Sequence, residues 1–161
     1  MSGPVATRPA EPSDCPAIAQ LVAAAYGPYV ERIGRPPGPM LADYADVVSR
    51  GQTWVAQDDD GGLLGVLVLE RAEDHLLLNN VAVRPGVQRR GVGRLLLQLA
   101  EERAAALGLP EIRLYTNEAM SENLNYYPRH GYLETHRTTE NGYRRVFFTK
   151  VLRSAKHERS V

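Results

Sequence analysis

One segment of the chain changes from the hydrophobic pattern of a strand to that of a helix and back again. His75–Val83 is an almost continuous apolar run, which predicts a strand covered on both faces. Apolar residues then recur at helical spacing from Val92 to Leu107, and Glu111–Tyr115 predicts another strand. Strand, helix and strand in this order predict a right-handed βαβ crossover with two parallel strands. We therefore expect an α/β protein.

The flanking segments supply further elements, which we predict from N-cap residues, glycine turns and alternating apolar positions. They are helices at Asp14–Tyr26, Met40–Arg50 and Ser121–Arg129, and strands at Thr53–Ala56, Leu63–Glu70, Tyr132–Thr138 and Tyr143–Val151. A stiff proline-rich loop, residues 34–39, separates the first two helices, and the polar tail Ser154–Val161 is predicted to fray. No repeat or linker divides the sequence, so we expect one domain over residues 1–161.

The charge balance excludes several classes of partner. Nineteen Lys and Arg equal nineteen Asp and Glu, so no global field attracts nucleic acid or an anionic membrane surface. The apolar runs are far too short to span a membrane, and we expect a cytoplasmic protein. Cys15 is the single cysteine, and the four histidines lack metal-binding spacing, so we expect no metal. Exposed sheet edges leave a homodimer open.

Positive charge is nevertheless concentrated between the predicted strand and helix. Residues 84–94 contain no acid and four arginines, namely Arg84, Arg89, Arg90 and Arg94. Gly91 and Gly93 allow a ligand to approach the backbone, and the amides at a helix N-terminus lack partners within the helix. The glycine spacing excludes both a P-loop and the dinucleotide-binding fingerprint. The segment therefore predicts a different kind of phosphate-binding loop.

The same segment resembles the core motif of the GCN5-related N-acetyltransferases, the GNAT superfamily. Gln88-Arg89-Arg90-Gly91-Val92-Gly93 matches the family pattern (Gln or Arg)-x-x-Gly-x-(Gly or Ala), and it follows a strand ending in Val81-Ala82-Val83. Asn123–Tyr132 resembles the later family motif, in which an aromatic-Tyr pair precedes Gly-(Phe or Tyr). The resemblance spans roughly Val5–Leu152. It implies a mixed, mostly antiparallel central sheet of about six to seven strands, flanked by about four helices.

The resemblance implies a site for acetyl-CoA, or another acyl-CoA, in an opening between the strand of Val81–Val83 and that of Ile112–Tyr115. Backbone groups of Val81 and Val83 would pair with the pantetheine arm, and amides of residues 88–93 would hold the pyrophosphate. The residues implied at the cofactor are Val81, Ala82, Val83, Gln88, Arg89, Arg90, Gly91, Val92, Gly93, Arg94, Asn123, Tyr126 and Tyr127. For Tyr126 a role as a core aromatic residue is favoured.

The resemblance also implies two catalytic groups. Tyr127 would protonate the departing thiolate, and the backbone amide of Val81 would polarise the thioester carbonyl. The family's asparagine stands seven residues before the tyrosine, where this chain has Met120. Asn117 and Asn123 therefore both stay open for that role. Asn123 could equally be a polar residue at a helix start.

A base that deprotonates the amine is less clearly indicated. Many relatives carry a glutamate where this chain has Asn79 and Asn80. Water relayed by either asparagine, or a carboxylate from Glu70 or Glu73, stays open. The acceptor is expected against loops, and the residues predicted to contact it are Tyr26, Tyr29, Arg35, Met40, Asn79 and Asn80.

The resemblance implies an enzyme that transfers the acetyl group of acetyl-CoA to a primary amine by direct attack in a ternary complex. Acceptors of two kinds stay open, a small-molecule amine and a peptide or protein amine, as does a longer acyl group. The alternative is a non-catalytic module that binds or senses acyl-CoA, because no carboxylate stands at residues 79 and 80.

Overall fold

The computed structural model describes residues 4–87 and 90–152. The strands are β1 (Ala6–Pro9), β2 (Thr53–Gln57), β3 (Leu63–Arg71), β4 (Leu76–Val83), β5 (Glu111–Asn117), β6 (Leu133–Glu140) and β7 (Tyr143–Val151). The α-helices are α1 (Cys15–Tyr26), α2 (Val30–Ile33), α3 (Gly38–Leu41), α4 (Tyr44–Ser49), α5 (Val92–Ala106) and α6 (Ser121–Arg129). Gln88, Arg89 and the predicted frayed tail Ser154–Val161 lie outside the described residues.

The strands form one mixed sheet of seven strands in the order β1-β2-β3-β4-β5-β7-β6. Antiparallel pairing joins β1 to β2, β2 to β3, β5 to β7 and β6 to β7. β4 and β5 pair in parallel, with Leu76 opposite Ile112 and Leu77 opposite Arg113. The predicted fold class, a mixed and mostly antiparallel sheet with flanking helices, is therefore confirmed, as is the parallel strand pair of the crossover.

The described part of Met1–Leu69 together with Asn79–Gln98 forms one compact unit. Its core joins α1 and α4 to one face of the sheet. The buried side chains of this core are Ile18, Leu21, Val22, Tyr44, Val48, Val55, Val66, Val68 and Ala82. Burial of these apolar groups supplies the main driving force for folding of the unit.

Glu70–Leu78 and the described part of Leu99–Val161 form a second compact unit. Its core contains an aromatic cluster in which the ring centroid of Tyr127 lies 5.7 Å from that of Tyr132 and 5.8 Å from that of Phe148. All three side chains are buried. Such tilted and edge-on ring pairs contribute stability beyond their buried area. One domain over residues 1–161 stays a prediction.

The expectation that β4 is covered on both faces was wrong. Side chains alternate along a strand, and only one face of β4 is fully buried, at Leu76, Leu78, Asn80 and Ala82. Asn79 on the other face is exposed. The strand buried without interruption is β3, from Leu64 to Leu69. The run of apolar residues predicted burial, but it did not identify which of the two neighbouring strands is buried on both faces.

Two further elements differ from what the sequence predicted. The single helix predicted over Met40–Arg50 is interrupted, because Ala42 is extended and Asp43 caps α4 by accepting from the amides of Ala45 and Asp46. β1 was not predicted, because a four-residue edge strand that ends in Pro9 has no alternating apolar pattern.

The start of α5 lies very close to the sheet at Gly65, the third residue of β3. A Cβ atom at this position would stand 2.9 Å from Leu96 Cδ1, 3.0 Å from Val92 Cγ1 and 3.1 Å from the carbonyl oxygen of Ala82. Glycine therefore permits the approach of α5 to β3 and β4. This contact fixes where α5 begins relative to the end of β4.

We predict that Gly65→Ala lowers the free energy of unfolding by about 1–3 kcal/mol, because the added methyl group overpacks a closed contact. Gly27→Ala is the matched control, since nothing lies within 4 Å of a Cβ atom at Gly27 and its φ is −49°. Urea unfolding of the three proteins measures the difference. Equal stability of Gly65→Ala and wild type would contradict the close contact.

Candidate functional site

A short turn connects β4 to α5. The amide of Val87 donates to the carbonyl of Arg84 at 3.2 Å, and the amide of Arg90 donates to that of Val87 at 3.1 Å. Gly91 follows with φ of +80°, a left-handed conformation that favours glycine. The turn thus ends directly before Val92, the first residue of α5.

The first backbone amides of α5 lie before its first helical hydrogen bond. The first bond of helical spacing runs from the amide of Leu95 to the carbonyl of Gly91, at 3.0 Å. The amides of Val92, Gly93 and Arg94 therefore have no partner within the helix. No side-chain atom would crowd a Cβ atom at Gly91, so the space beside it is open. Amides and the helix dipole together favour an anion here.

Arginines are concentrated in the sequence next to this helix end. Arg84 and Arg94 are exposed and Arg90 is half-buried, while Gln88 and Arg89 lie outside the described residues. No acidic residue occurs between positions 84 and 94. The charge and the amides predicted from sequence to hold a phosphate group therefore belong to one continuous segment, and a pyrophosphate suits its chemistry.

Backbone groups of β4 alternate in direction. The amide of Arg84 donates to the carbonyl of Leu64 at 2.8 Å, which directs this amide towards β3. Since N–H and C=O groups of successive residues point to opposite sides, those of Val83 and Val81 point away from β3. The carbonyl of Val81 accepts a hydrogen bond from the Tyr26 hydroxyl at 3.2 Å.

Asn80 is buried beside Val81 and holds two tyrosines. Its Oδ1 accepts from the Tyr26 hydroxyl at 2.7 Å, and its Nδ2 donates to the Tyr44 hydroxyl at 3.2 Å. The Tyr44 hydroxyl donates in turn to the carbonyl of Pro39 at 2.6 Å. The structure therefore brings together Tyr26 and Asn80, two of the residues predicted at the acceptor. Tyr44 was not singled out in the sequence, because nothing local marks a contact 36 positions away.

The other residues predicted at the acceptor have different surroundings. Asn79 and Arg35 are exposed, and Met40 is half-buried against the core of its unit. The guanidinium carbon of Arg32 lies 5.0 Å from the ring centroid of Tyr29, a cation–π contact. Tyr29 and Arg35 thus present aromatic and cationic surface on the loop side of the unit.

The predicted acid belongs to the second unit. Tyr127 lies near the end of α6 with its side chain 6% exposed. Its carbonyl accepts the amides of His130 and Tyr132, so the turn through Gly131 is closed around it. The ring of Tyr126 packs edge-on against Tyr127, at a centroid distance of 5.4 Å. Burial raises the pKa of Tyr126 above its usual value.

Both candidate asparagines of the second unit have partners. Asn123 Nδ2 donates to Thr116 Oγ1 at 3.0 Å, which ties α6 to β5. Asn117 Oδ1 accepts the amide of Ala119 at 2.8 Å and so shapes the turn that leads to α6. Neither bond prevents a further contact through the remaining polar atom of the amide.

Two carboxylates were candidates for the base that deprotonates the amine. Glu70 is half-buried in β3, and Glu73 is exposed in the turn before β4.

Within residues 4–87 and 90–152, no three His, Cys, Asp or Glu side chains form a group suited to a metal ion. None of the helices described there has both the length and the apolar composition needed to cross a membrane.

Comparison with known families gives a match over the middle of the chain. Residues 49–134 match the model of the acetyltransferase (GNAT) domain. The match contains β2 to β5, α5 and α6, and therefore both motifs recognised in the sequence.

Solved structures with the same fold include three acetyltransferases. The ribosomal-protein-S18-alanine N-acetyltransferase from Escherichia coli aligns with a TM-score of 0.75 at 17% identity, over 94% of this chain and 96% of that one. The PaiA N-acetyltransferase from Thermoplasma acidophilum, in complex with coenzyme A, aligns with a TM-score of 0.75 at 16% identity, over 92% and 99%. Nourseothricin acetyltransferase aligns with a TM-score of 0.71 at 22% identity, over 91% and 98%.

Tyr44 gives a pH dependence of stability that can be measured. Burial raises the pKa of Tyr44 to about 12, and the hydrogen bond from Asn80 opposes part of this effect. In the unfolded chain the phenol ionises near pH ~10, so stability from Tyr44 is complete below that pH and is lost as the pH rises towards 12. Between about pH 8 and about pH 11 the loss is about 1.4 kcal/mol.

We predict that the stability difference between wild type and Tyr44→Phe shrinks by this amount over the same interval. Urea unfolding at both pH values measures it, and the contributions of other tyrosines cancel in the difference. A difference that does not change with pH would contradict a protonated, buried Tyr44.

Proposed function

Because the chain belongs to the GNAT acetyltransferase family, we propose that it transfers the acetyl group of acetyl-CoA to a primary amine, by direct attack in a ternary complex. The observation that carries this proposal is the acid-free arginine segment at the start of α5. Its first amides, at Val92, Gly93 and Arg94, have no partner within α5 and suit the pyrophosphate of coenzyme A. Arg84, Arg90 and Arg94 add positive charge, and Gln88 and Arg89 complete the family motif.

The backbone of β4 binds the rest of the cosubstrate. The N–H and C=O groups of Val83, and the C=O group of Val81 through its second lone pair, point away from β3 and pair with the amide groups of the pantetheine arm, and Ala82 contributes through the intervening backbone. When bound, acetyl-CoA supplies an activated thioester. The amide of Val81 donates to the carbonyl oxygen of that thioester, where negative charge develops as the amine attacks.

In this proposal Tyr127 protonates the departing thiolate, and the proton that the attacking amine loses passes to one of the bases left open above, a water molecule or a carboxylate. A thiol with a pKa near ~8.5 is already a good leaving group, so a phenol needs to supply only modest acid assistance. The position of Tyr127 within the second family motif supports the assignment. Tyr126 and Asn123, on the same helix, complete the proposed cofactor contacts.

Two kinds of acceptor fit the proposal, a small amine and the amine of a peptide or protein. Tyr26, Tyr29, Arg35 and Met40 are assigned to the acceptor side together with Asn79. They combine aromatic, cationic and apolar groups. They therefore favour an acceptor whose amine stands next to an uncharged or acidic group over a polycation.

The activity is tested by incubating the protein with acetyl-CoA and each member of a panel of amines, amino acids and peptides, and by measuring the thiol that is released. Binding of acetyl-CoA with no release in the whole panel would contradict catalysis and favour a binding module.

With an amine that the panel identifies, Tyr127→Phe is expected to lower kcat by about 10²-fold, the lower end of the usual contribution of an acid catalyst, because the thiolate is already a good leaving group. Tyr132→Phe is the matched control. It removes a buried hydroxyl from the same aromatic cluster, and this hydroxyl has no hydrogen-bond partner in the described structure. Steady-state kinetics with saturating acetyl-CoA separate the two variants. Equal kcat values for Tyr127→Phe and wild type would remove Tyr127 from the mechanism.

Gly91→Glu is expected to weaken acetyl-CoA binding by about 100-fold or more, because it places negative charge at the pyrophosphate. Gly91 has a φ of +80°, so any side chain there strains the turn. Gly91→Ala carries the same strain without the charge, and we expect a much smaller loss. Calorimetric titration with acetyl-CoA compares the variants. Equal affinities for Gly91→Glu and Gly91→Ala would contradict the phosphate site.

A further inference from the structure

A polar residue lies within an otherwise apolar surface of β4. The Asn80 side chain, 4% exposed, shares its strand face with Leu78 and Ala82, which are also buried. A buried amide is costly unless its polar atoms are hydrogen-bonded. Both polar atoms of Asn80 have tyrosine partners, one on Tyr26 and one on Tyr44. Its place in the core therefore depends on these two bonds.

The donor and the acceptor of each of these hydrogen bonds are determined. The carbonyl of Pro39 can only accept, so the Tyr44 hydroxyl donates to it, at 2.6 Å. The oxygen of Tyr44 therefore accepts from Asn80 Nδ2, which leaves Asn80 Oδ1 to accept the proton of Tyr26. We call Tyr26, Asn80, Tyr44 and Pro39 the asparagine relay. Bonds that all run in one direction strengthen one another.

The asparagine relay joins separate parts of the first unit. Tyr26 is the last residue of α1, and Pro39 is the last residue of the proline-rich loop and lies in the first turn of α3. Tyr26 belongs to the surface assigned above to the acceptor, and Pro39 directly precedes Met40 of the same surface. Asn80 precedes Val81, and the Tyr26 hydroxyl also lies 3.2 Å from the Val81 carbonyl. One buried side chain thus links the acceptor surface to the strand residue beside the reacting carbonyl.

We propose that Asn80 is a positioning residue, which holds Tyr26 and the loop before α3 at a set distance from the backbone of Val81. The amine then approaches the thioester carbonyl along one path. Because misplacement by about 1 Å can cost about 10²-fold in rate, a small shift of this surface is sufficient to affect turnover. The inference rests on the proposed function, since it assigns the acceptor side of the same site.

Asn80→Leu removes both bonds with little change of volume. Tyr26 can still donate to the Val81 carbonyl and Tyr44 to the Pro39 carbonyl, so no donor is left without an acceptor and the fold should persist. Tyr44→Phe breaks the relay at its other end. Thr53→Val is the control, because Thr53 is equally buried in the same unit and its hydroxyl has no partner in the described structure.

The first measurement is hydrogen exchange of the backbone amides of residues 27–42, which needs no acceptor. In Asn80→Leu and in Tyr44→Phe we expect exchange to be faster by about tenfold, since the loop has lost an anchor. In Thr53→Val it should equal wild type. Unchanged exchange in both relay variants would overturn the proposal, whatever the kinetics.

The second measurement uses the amine identified by thiol release. In both relay variants kcat/KM for this amine should fall by about 10–100-fold, while the Kd of acetyl-CoA stays within about twofold of wild type. An equal loss of acetyl-CoA affinity, or an unchanged kcat/KM, would overturn a positioning role. If wild type releases no thiol with any amine, the proposed function fails, and the exchange experiment alone decides whether Asn80 anchors the loop.

Discussion

The close approach of α5 to the sheet is the constraint on which the rest of the structure depends. At Gly65 a single methyl group would meet Val92 and Leu96 from the helix and the carbonyl of Ala82 from β4. The helix therefore begins immediately beside the strand that precedes it in the sequence. Its first amides, which have no partner within the helix, stand in the arginine-rich segment that connects the two elements. The packing of α5 on the sheet and the anion binding that we propose at its start depend on the same contact at Gly65.

β4 serves two purposes because its side chains and its backbone groups alternate. One set of side chains, which includes Asn80 and Ala82, is buried and attaches the strand to the core. The backbone groups of Val81 and Val83 point away from β3, and we assign them to the cosubstrate. Asn80 connects these purposes, since the bonds that satisfy its buried amide also hold Tyr26. In this account, one side chain is packed in the core and also positions the acceptor surface.

Much of this could be predicted from the sequence, and the failures have physical causes. Local signals were strong for α6 and β7, whose bounds were predicted correctly at Ser121–Arg129 and Tyr143–Val151. The interruption before α4 was missed because Asp43 was read as part of a helix rather than as its cap. The asparagine relay was missed because Tyr44 and Tyr26 lie 36 and 54 positions before Asn80 in the chain. Asn80 was marked as a candidate, but only packing shows that its amide is committed to two tyrosines.

The central claim is that the start of α5 and the backbone of β4 hold acetyl-CoA. A crystal structure of the complex with coenzyme A tests it most directly. We predict pyrophosphate oxygens within about 3 Å of the amides of Val92 and Gly93, and pantetheine hydrogen bonds to the backbone of Val81 or Val83. A coenzyme A molecule bound elsewhere, with these amides making no contact to it, would contradict the account.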